Sequence, residues 1–276
     1  MKGFNNKIVI ITGASSGIGE ATAFEFVKQG AKVSLAARRL ERLNEIKTEI
    51  EKIGGEALIT KTDVSIEDDC KNLIQQTLNH FGKIDLLINN AGISMRALFI
   101  DAEIQVLKKV MDVNFWGTVY CTKYALPHLL KQNGVIVGVS SVAGFHGLPG
   151  RTGYSASKFA MHGFLESVRI EYLKTGLHVM VIAPGFTSSE VRKHALTANG
   201  NEQGETPRVE EKMMSAEKVA KIMLKSIKKK KRNKILTFTG QAIALLQRII
   251  PEQVDHLVYK GMANEPGSPL QKADNF

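Results

Sequence analysis

Thr12-Gly13-Ala14-Ser15-Ser16-Gly17-Ile18-Gly19 follows the apolar, β-branched run 7–12 and leads into a segment, 17–29, that patterns as a helix. A strand feeding a glycine-rich turn that opens a helix bears on both fold and binding. Glycine lets the backbone come close to a ligand, and the first N–H groups of a helix have no partner within it, so they are open to phosphate. Gly13, Ser15, Ser16, Gly17, Ile18 and Gly19 are therefore candidate cofactor contacts. The spacing is G-x-x-x-G-x-G, not the commoner G-x-G-x-x-G. No Gly-Lys-Ser/Thr follows, which disfavours a triphosphate-binding P-loop. The competing reading is a tight structural turn. The turn's place at the head of an alternating chain favours the ligand.

That alternation runs almost to the end. Strand-like runs at 31–36, 56–61, 84–88, 134–140, 177–183 and 234–238 are separated by helical patterns at 66–81, 103–131, 154–174 and 215–230. Leu40, Leu43, Ile46, Ile50 and Ile53 recur at three- and four-residue spacing, the mark of an amphipathic helix. Near-continuous apolar strands alternating with helices predict an α/β fold: one doubly wound, Rossmann-type parallel sheet of about seven strands with helices on both faces. No composition shift marks a second domain, so 1–276 reads as one unit. Residues 188–214 are polar, carry Gly200, Gly204 and Pro207, and read as a long mobile substrate loop. Residues 241–276 extend beyond the core, and 262–276 read as a frayed tail.

Composition narrows the function classes. With 43% hydrophobic and 23% charged residues among 276, the chain has the make-up of a soluble globular protein. It has no uncharged apolar stretch of about 18 residues, so no membrane-spanning helix is expected. Residues 1–7 show no signal-peptide pattern, and Cys70 and Cys121 suggest no disulfide framework. The expected location is the cytoplasm, and no metal site is expected. The net charge of +10 comes largely from Lys225, Lys228, Lys229, Lys230, Lys231, Arg232 and Lys234. That run reads as a solvated helix end and loop. It lacks the interleaved aromatics of single-strand binders, so no nucleic-acid partner is expected.

Two further places carry chemistry. After the second strand stands Ala36-Ala37-Arg38-Arg39. A carboxylate there would suit a free ribose 2′-hydroxyl, whereas a guanidinium binds a 2′-phosphate bidentately, so Arg38 and Arg39 point to NADP(H). The bland alternative is two solvated residues opening a helix. Asp63 and Val64 follow the third strand, where they would meet the adenine edge, with Asp63 also a candidate helix cap. Tyr154 and Lys158 are four residues apart in a helical pattern and share a face. An ammonium near a phenol favours the phenolate and moves its pKa toward neutrality, making the pair a candidate general acid/base.

With these residues in hand, the chain resembles the short-chain dehydrogenase/reductase family over about residues 5–240. The motifs are Thr12-Gly13-x-x-x-Gly17-x-Gly19, Asp63, Asn89-Asn90-Ala91-Gly92, Asn114, Ser140-Ser141, Tyr154-x-x-x-Lys158 and Pro184-Gly185. The resemblance implies that Tyr154 passes a proton to or from the substrate oxygen. Lys158 would lower the Tyr pKa and hold the nicotinamide ribose, Ser141 rather than Ser140 would hold the carbonyl oxygen, and Asn114 would bend the long helix and hold a water beside Lys158. It places Asn90, Ala91, Gly92, Pro184, Gly185, Thr187 and Ser189 along the cofactor. The family often has an acid and a Thr where Ser188 and Ser189 stand here, which is a departure at the carboxamide contacts.

The substrate pocket is expected to be walled by Ser94, Met95, Phe145, His146, Leu148, Pro149 and Phe186, with Ser141 and Tyr154 at the oxygen. His146 is read as wall rather than acid or base. An apolar wall suits a bulky hydrophobic carbonyl, and 141–144 with 154–160 look similar to the hydroxysteroid-dehydrogenase-like branch. Basic surface keeps a 3-oxoacyl-[acyl-carrier-protein] reductase as the alternative, and an NADP(H)-sensing binding protein is the non-enzyme alternative. The family implies a homodimer or homotetramer acting on a small-molecule carbonyl or alcohol. The apolar stripe in 241–262, next to the lysine run, is read as packing on the loop or another subunit, with peripheral membrane contact as the less favoured reading.

Overall fold

The computed structural model describes residues 3–185, 187, 190–204 and 213–273. Its strands are β1 (Ile8–Thr12), β2 (Lys32–Ala37), β3 (Ala57–Lys61), β4 (Leu86–Asn89), β5 (Val135–Val139), β6 (His178–Ala183) and β7 (Asn233–Ile235). They form one seven-stranded sheet in the order β3-β2-β1-β4-β5-β6-β7, with every pairing parallel. This is the doubly wound α/β architecture that the alternating pattern predicts.

Strand side chains alternate between two cores. Val9, Ile11, Val33, Leu35, Leu86 and Ile88 face one side. There they meet Phe26 of α1 (Gly17–Val27), Leu43 and Ile46 of α2 (Leu40–Lys52) and Met223 of α7 (Ala216–Lys228). Ile10, Ala36 and Leu87 face the other. They meet Leu73 of α3 (Glu67–Phe81), Cys121 and Leu129 of α5 (Gly117–Lys131), and Met161 and Leu165 of α6 (Thr152–Glu171). Both faces are covered, so the strands read as unbroken apolar runs. Each fully buried Leu or Ile contributes about 1.5–3 kcal/mol of burial free energy. A polar residue that falls inside must find a partner, and Ser34 Oγ lies 2.7 Å from Thr77 Oγ1.

From β1 the chain winds outward through β2 and β3, then returns to place β4 on the other side of β1. The connections at the carboxyl ends of β1 and β4 therefore diverge and leave a crevice. The expected long helix at 103–131 is α4 (Ile104–Met111), a single π-helical turn (Asp112–Trp116) and α5. A π-turn breaks the regular i→i−4 ladder, and this one is centred on Asn114.

Three expectations change. The last strand stops at Ile235 instead of continuing to 238, because the Thr237 side chain accepts the Gly240 N–H at 3.1 Å and starts α8 (Phe238–Leu246). The described part of 188–214 is pinned. Arg96 donates its N–H to Leu196 O at 2.8 Å, Leu196 to Ser94 O at 2.9 Å and Glu103 to Ala198 O at 2.9 Å. Leu196 anchors it by burying against Met95, Val106 and Val110. Ser188, Ser189 and 205–212 lie outside the described residues. The tail does not fray where it is described. Glu265, Ser268 and Leu270 are buried beyond α9 (Pro251–Ala263).

The lysine run and the apolar stripe prove to be apart. Lys228–Arg232 form the exposed turn from α7 into β7, at the sheet's amino edge, where cations complement a helix C-terminus. The apolar residues of 241–262 lie on α8 and α9 beyond the carboxyl end of β7. There Val254, Val258 and Met262 bury against Leu98, Leu148, Ile243 and Leu246. Among the described residues, no helix is long and apolar enough to cross a membrane.

Candidate active site

A cleft of about 1420 Å³ runs along the carboxyl edge of the sheet, from the glycine loop past Arg38 and Arg39 to Tyr154 and on to α8 and α9. Its floor is built backbone to backbone. Gly13 has φ +63°, and a Cβ on it would stand 2.8 Å from Ala91 Cα; one on Gly19 would stand 2.2 Å from Gly13 O. Side chains at either position would force the two loops apart. Thr12 Oγ1 accepts the N–H groups of Asn90 and Ala91, each at 3.0 Å. Asn90 Nδ2 donates to Thr12 O at 2.9 Å and Gly13 O at 3.1 Å. Asn90 thus lines the cleft and braces it. Ser15, Ser16, Gly17 and Ile18 line the same end, at the start of α1, where helical N–H groups are free.

Arg39 is turned onto that loop. Its Nη2 donates to Ser16 Oγ at 2.8 Å and Ser15 Oγ at 3.1 Å. Arg38 is exposed and lines the cleft with Ala37, and no carboxylate stands at the end of β2. Two guanidiniums beside free helical N–H groups fit a phosphorylated dinucleotide. Asp63 and Val64 line the cleft as expected. Asp63 does not cap α3, whose flanking residue is Ile66; its Oδ1 accepts from Ser65 N at 3.0 Å and Ser65 Oγ at 2.6 Å in a local turn.

Tyr154 and Lys158 both fall on the cleft-facing side of α6. Lys158 Nζ stands 5.7 Å from the Tyr154 ring centroid and donates to Val139 O at 3.0 Å. Burial drives the lysine down to about 8. The balance at the phenol differs from the expectation. Burial pushes Tyr154 up, while the Ser141 hydroxyl and the Arg151 charge draw it part of the way back. Desolvation exceeds the pull of the neighbouring cations, because a phenolate loses more hydration here than they replace. In this structure Tyr154 holds its proton firmly and Lys158 gives its proton up readily.

Asn114 sits under the pair. Its Oδ1 accepts from Ile93 N at 2.8 Å, and its Nδ2 donates to Ile93 O at 2.9 Å and to Ser157 Oγ at 2.9 Å. Ser157 Oγ donates in turn to Tyr154 O at 2.7 Å. A Cβ on Gly92 would stand 3.1 Å from Asn114 Oδ1 and 3.4 Å from Lys158 Nζ. Glycine there keeps the ground between those two groups clear.

The neighbouring serines both line the cleft but differ in partner. Ser140 Oγ lies 2.6 Å from His162 Nε2. Ser141 lines the cleft, and its Oγ accepts the Ala143 N–H at 3.2 Å while bearing on Tyr154. Burial, then the Lys158 charge, lowers His162 to about 4 against the pull of Glu166, so it stays neutral. The sequence reading missed His162, Ser157 and Arg151. Spacing of three or four residues from Tyr154 and Lys158 on one helix was the available signal.

The substrate wall is corrected. Phe145 packs edge-on against His162 with ring centroids 4.5 Å apart. His146 Nδ1 lies 2.9 Å from Gln247 Oε1 and its Nε2 lies 3.4 Å from Asp255 Oδ1. Neither lines the cleft: Phe145 packs on α6, and His146 is engaged from the end of α8 and from α9. Ser94 and Leu148 line the cleft as expected, and the rest of the wall comes from Ile243, Leu246, Val254 and Met262. Met95 and Pro149 do not line the cleft. Pro184, Gly185 and Thr187 line it as expected; Thr187 Oγ1 donates to Gly185 O at 3.2 Å. Phe186 and Ser189 lie outside the described residues.

Comparison with known proteins agrees with this geometry. Residues 7–200 match the model of the short chain dehydrogenase family. The 11-beta-hydroxysteroid dehydrogenase-like 2 of Arabidopsis thaliana is 44% identical over 187 residues, 67% of this chain and 60% of that protein. The 11-beta-hydroxysteroid dehydrogenase A of Arachis hypogaea is 44% identical over 189 residues, 68% of this chain and 54% of that protein. The chain thus spans little more than half the length of these relatives. A short chain dehydrogenase/reductase from Burkholderia phymatum, solved in complex with NAD, superposes with a TM-score of 0.81 at 24% identity, covering 92% of this chain and 96% of that one. An alcohol dehydrogenase from the archaeon Thermococcus sibiricus, complexed with 5-hydroxy-NADP, gives 0.75 at 24% identity over 84% of this chain and 95% of that one. The two structures bear on the fold alone. The family match takes in the glycine loop, the π-turn asparagine and the tyrosine–lysine helix, and so the chain belongs to the short-chain dehydrogenase/reductase family, with relatives in its hydroxysteroid-dehydrogenase-like branch.

Proposed function

We propose that this protein is an NADP(H)-dependent oxidoreductase that interconverts a ketone and a secondary alcohol, with Tyr154 as general acid/base at the substrate oxygen. The observation that carries the reading is that Tyr154, Ser141 and Lys158 share one cleft with the glycine loop. Bound along that loop, the dinucleotide supplies or takes up the hydride.

The chain's own residues do the rest. Ser141 and Tyr154 direct two hydroxyls at the substrate oxygen and stabilise the negative charge that develops there. Burial keeps the Tyr154 proton in place until the oxygen needs it. Lys158, at about 8, changes charge near working pH and hands on a proton. Gly92 keeps the space between Lys158 and Asn114 clear, so that the Lys158 ammonium stays aligned with Tyr154.

Arg38 and Arg39, with no acid at Ala37, favour the 2′-phosphate and hence NADP(H) over NAD(H). The apolar lining from Leu148, Ile243, Leu246, Val254 and Met262 suits a bulky hydrophobic carbonyl. A hydroxysteroid, named in the relatives, has that size and character. Exposed Trp116 and Phe159, beside the helices carrying Asn114 and Tyr154, suit a homo-oligomer contact. Cys70 and Cys121 are buried thiols, in keeping with the cytoplasm as the working location.

The test is oxidation of NADPH, with NADH in parallel, against a panel of hydrophobic ketones and acyl thioesters. Turnover of ketones with NADPH is expected. Turnover of thioesters alone would favour the acyl-carrier-protein reductase alternative, and NADPH binding without any turnover would favour a sensor.

A further inference from the structure

Glu265, after α9, is 4% exposed. Its Oε2 lies 3.3 Å from Arg151 Nη2 and 3.8 Å from Arg96 Nη2. Arg96 Nη2 also donates to Pro266 O at 2.6 Å. A Cβ on Gly150 would stand 3.0 Å from Pro269 Cγ, so the segment packs directly on the residue before Arg151. Arg151 is itself buried and lines the cleft with Leu148 and Tyr154. It immediately precedes α6, accepts the Ser155 N–H at 2.8 Å and donates its own N–H to Leu148 O at 3.1 Å. The turn that presents Tyr154 therefore begins at a residue whose charge is held from the far end of the chain.

A buried ion pair adds little net stability, since desolving two charges offsets most of their attraction, but it fixes where both groups stand. We infer that Glu265 is a positioning residue of the active site: by holding Arg151 it sets the first turn of α6, and residues 264–270 thereby brace that turn from outside the cleft. The inference rests on the proposed oxidoreductase function. It also carries an electrostatic consequence, because the Arg151 charge acts on Tyr154. Lys158 on its own helix also stands beside that ring, and Arg38, Arg39, Asp63, Arg192, His194, Glu202 and Lys218 line other parts of the same cleft. None of these is altered by substitution at 265.

The experiment compares Glu265→Gln, Glu265→Asp and the double variant Arg151→Met/Glu265→Gln with the unaltered chain. The readouts are thermal unfolding without cofactor, NADPH binding, and kcat, KM and the pH profile for the best ketone substrate. Glu265→Gln is expected to bind NADPH within about twofold of the parent while kcat/KM falls ~10-fold or more. Its profile should shift to lower pH, since removing the Glu265 charge leaves the guanidinium to favour the phenolate more strongly. Glu265→Asp should recover part of the activity. The double variant should regain part of the thermal stability, since the Arg151 charge is removed together with its partner, yet not regain kcat; it carries the test if Glu265→Gln does not fold. Parental kcat, KM and pH profile in Glu265→Gln would overturn the inference. So would a double variant that regains turnover together with stability, the behaviour of a purely structural pair. A parent chain inactive on every carbonyl would instead overturn the proposed function, and the inference with it.

Discussion

The Asn114 side-chain amide grips the backbone of Ile93 from both sides, accepting its N–H at 2.8 Å and donating to its C=O at 2.9 Å. This exchange clamps the loop after β4 to the π-turn, and the amide's remaining hydrogen reaches Ser157 on the tyrosine-bearing helix. One buried amide thus holds three elements in register around Lys158. Buried amides are costly unless fully paired, so a satisfied one specifies a unique arrangement.

The clamp makes Gly92 sensitive. In Gly92→Ala the added methyl falls 3.1 Å from Asn114 Oδ1 and 3.4 Å from Lys158 Nζ. Both are held by other bonds and cannot step aside. Turnover should fall ~10-fold or more with a small change in unfolding free energy, because the damage is to alignment. Steady-state kinetics and urea unfolding on one preparation decide it, and parental kcat would remove the role given to that space.

Tyr154→Phe should lose turnover by about 10²–10⁴-fold, the usual contribution of a positioned acid/base. NADPH binding, followed by fluorescence, should survive. A variant that still turns over at the parental rate would assign the proton to another group.

Arg38→Asp places a carboxylate where a 2′-phosphate is expected. Affinity for NADPH should drop about 100-fold, or ~2.7 kcal/mol, with a much smaller effect on NADH. Equal weakening of both cofactors would mean that Arg38 serves the fold or the shared part of the dinucleotide.

At the opposite edge of the sheet, Asp85 is nearly inaccessible and takes bonds from Lys7 Nζ at 2.6 Å, Lys83 Nζ at 3.0 Å and Ile8 N at 3.0 Å. Burial alone would raise its pKa, but these partners outweigh it and hold the carboxyl below its ordinary 3.8. A depressed folded-state pKa means stability present above 3.8 and lost as pH falls through the lower folded value. Asp85→Asn should cost about 1–3 kcal/mol at neutral pH. The gap between parent and variant should close under acid conditions. Thermal unfolding across pH measures it, and a gap independent of pH would show that the charge is irrelevant.

Much of this was legible along the chain because the signals are local. Strand, glycine turn and helix succeed one another within 8–27, and Tyr154 and Lys158 need only one helical turn to share a face. Spacing within the family resemblance selects Ser141 over Ser140; what it does not give is the partner of Ser140, which is His162, across 22 positions. His146 and Phe145 misled because apolar or aromatic character near a site does not say which way a side chain points. Here α6 takes Phe145, and the end of α8 with α9 takes His146.

The amino-acid order by itself determined the parallel sheet, the crevice at its carboxyl edge and the residues that line its glycine-loop end. Periodicity and turn chemistry act between neighbours and need no knowledge of distant contacts. Only tertiary structure decided what walls the substrate end and what fixes Arg151. The first depends on the apolar faces of α8 and α9 meeting the cleft, the second on the segment after α9 folding back, where Glu265 meets a guanidinium 114 residues away. Complementary charge between distant positions leaves no pattern in the order of residues.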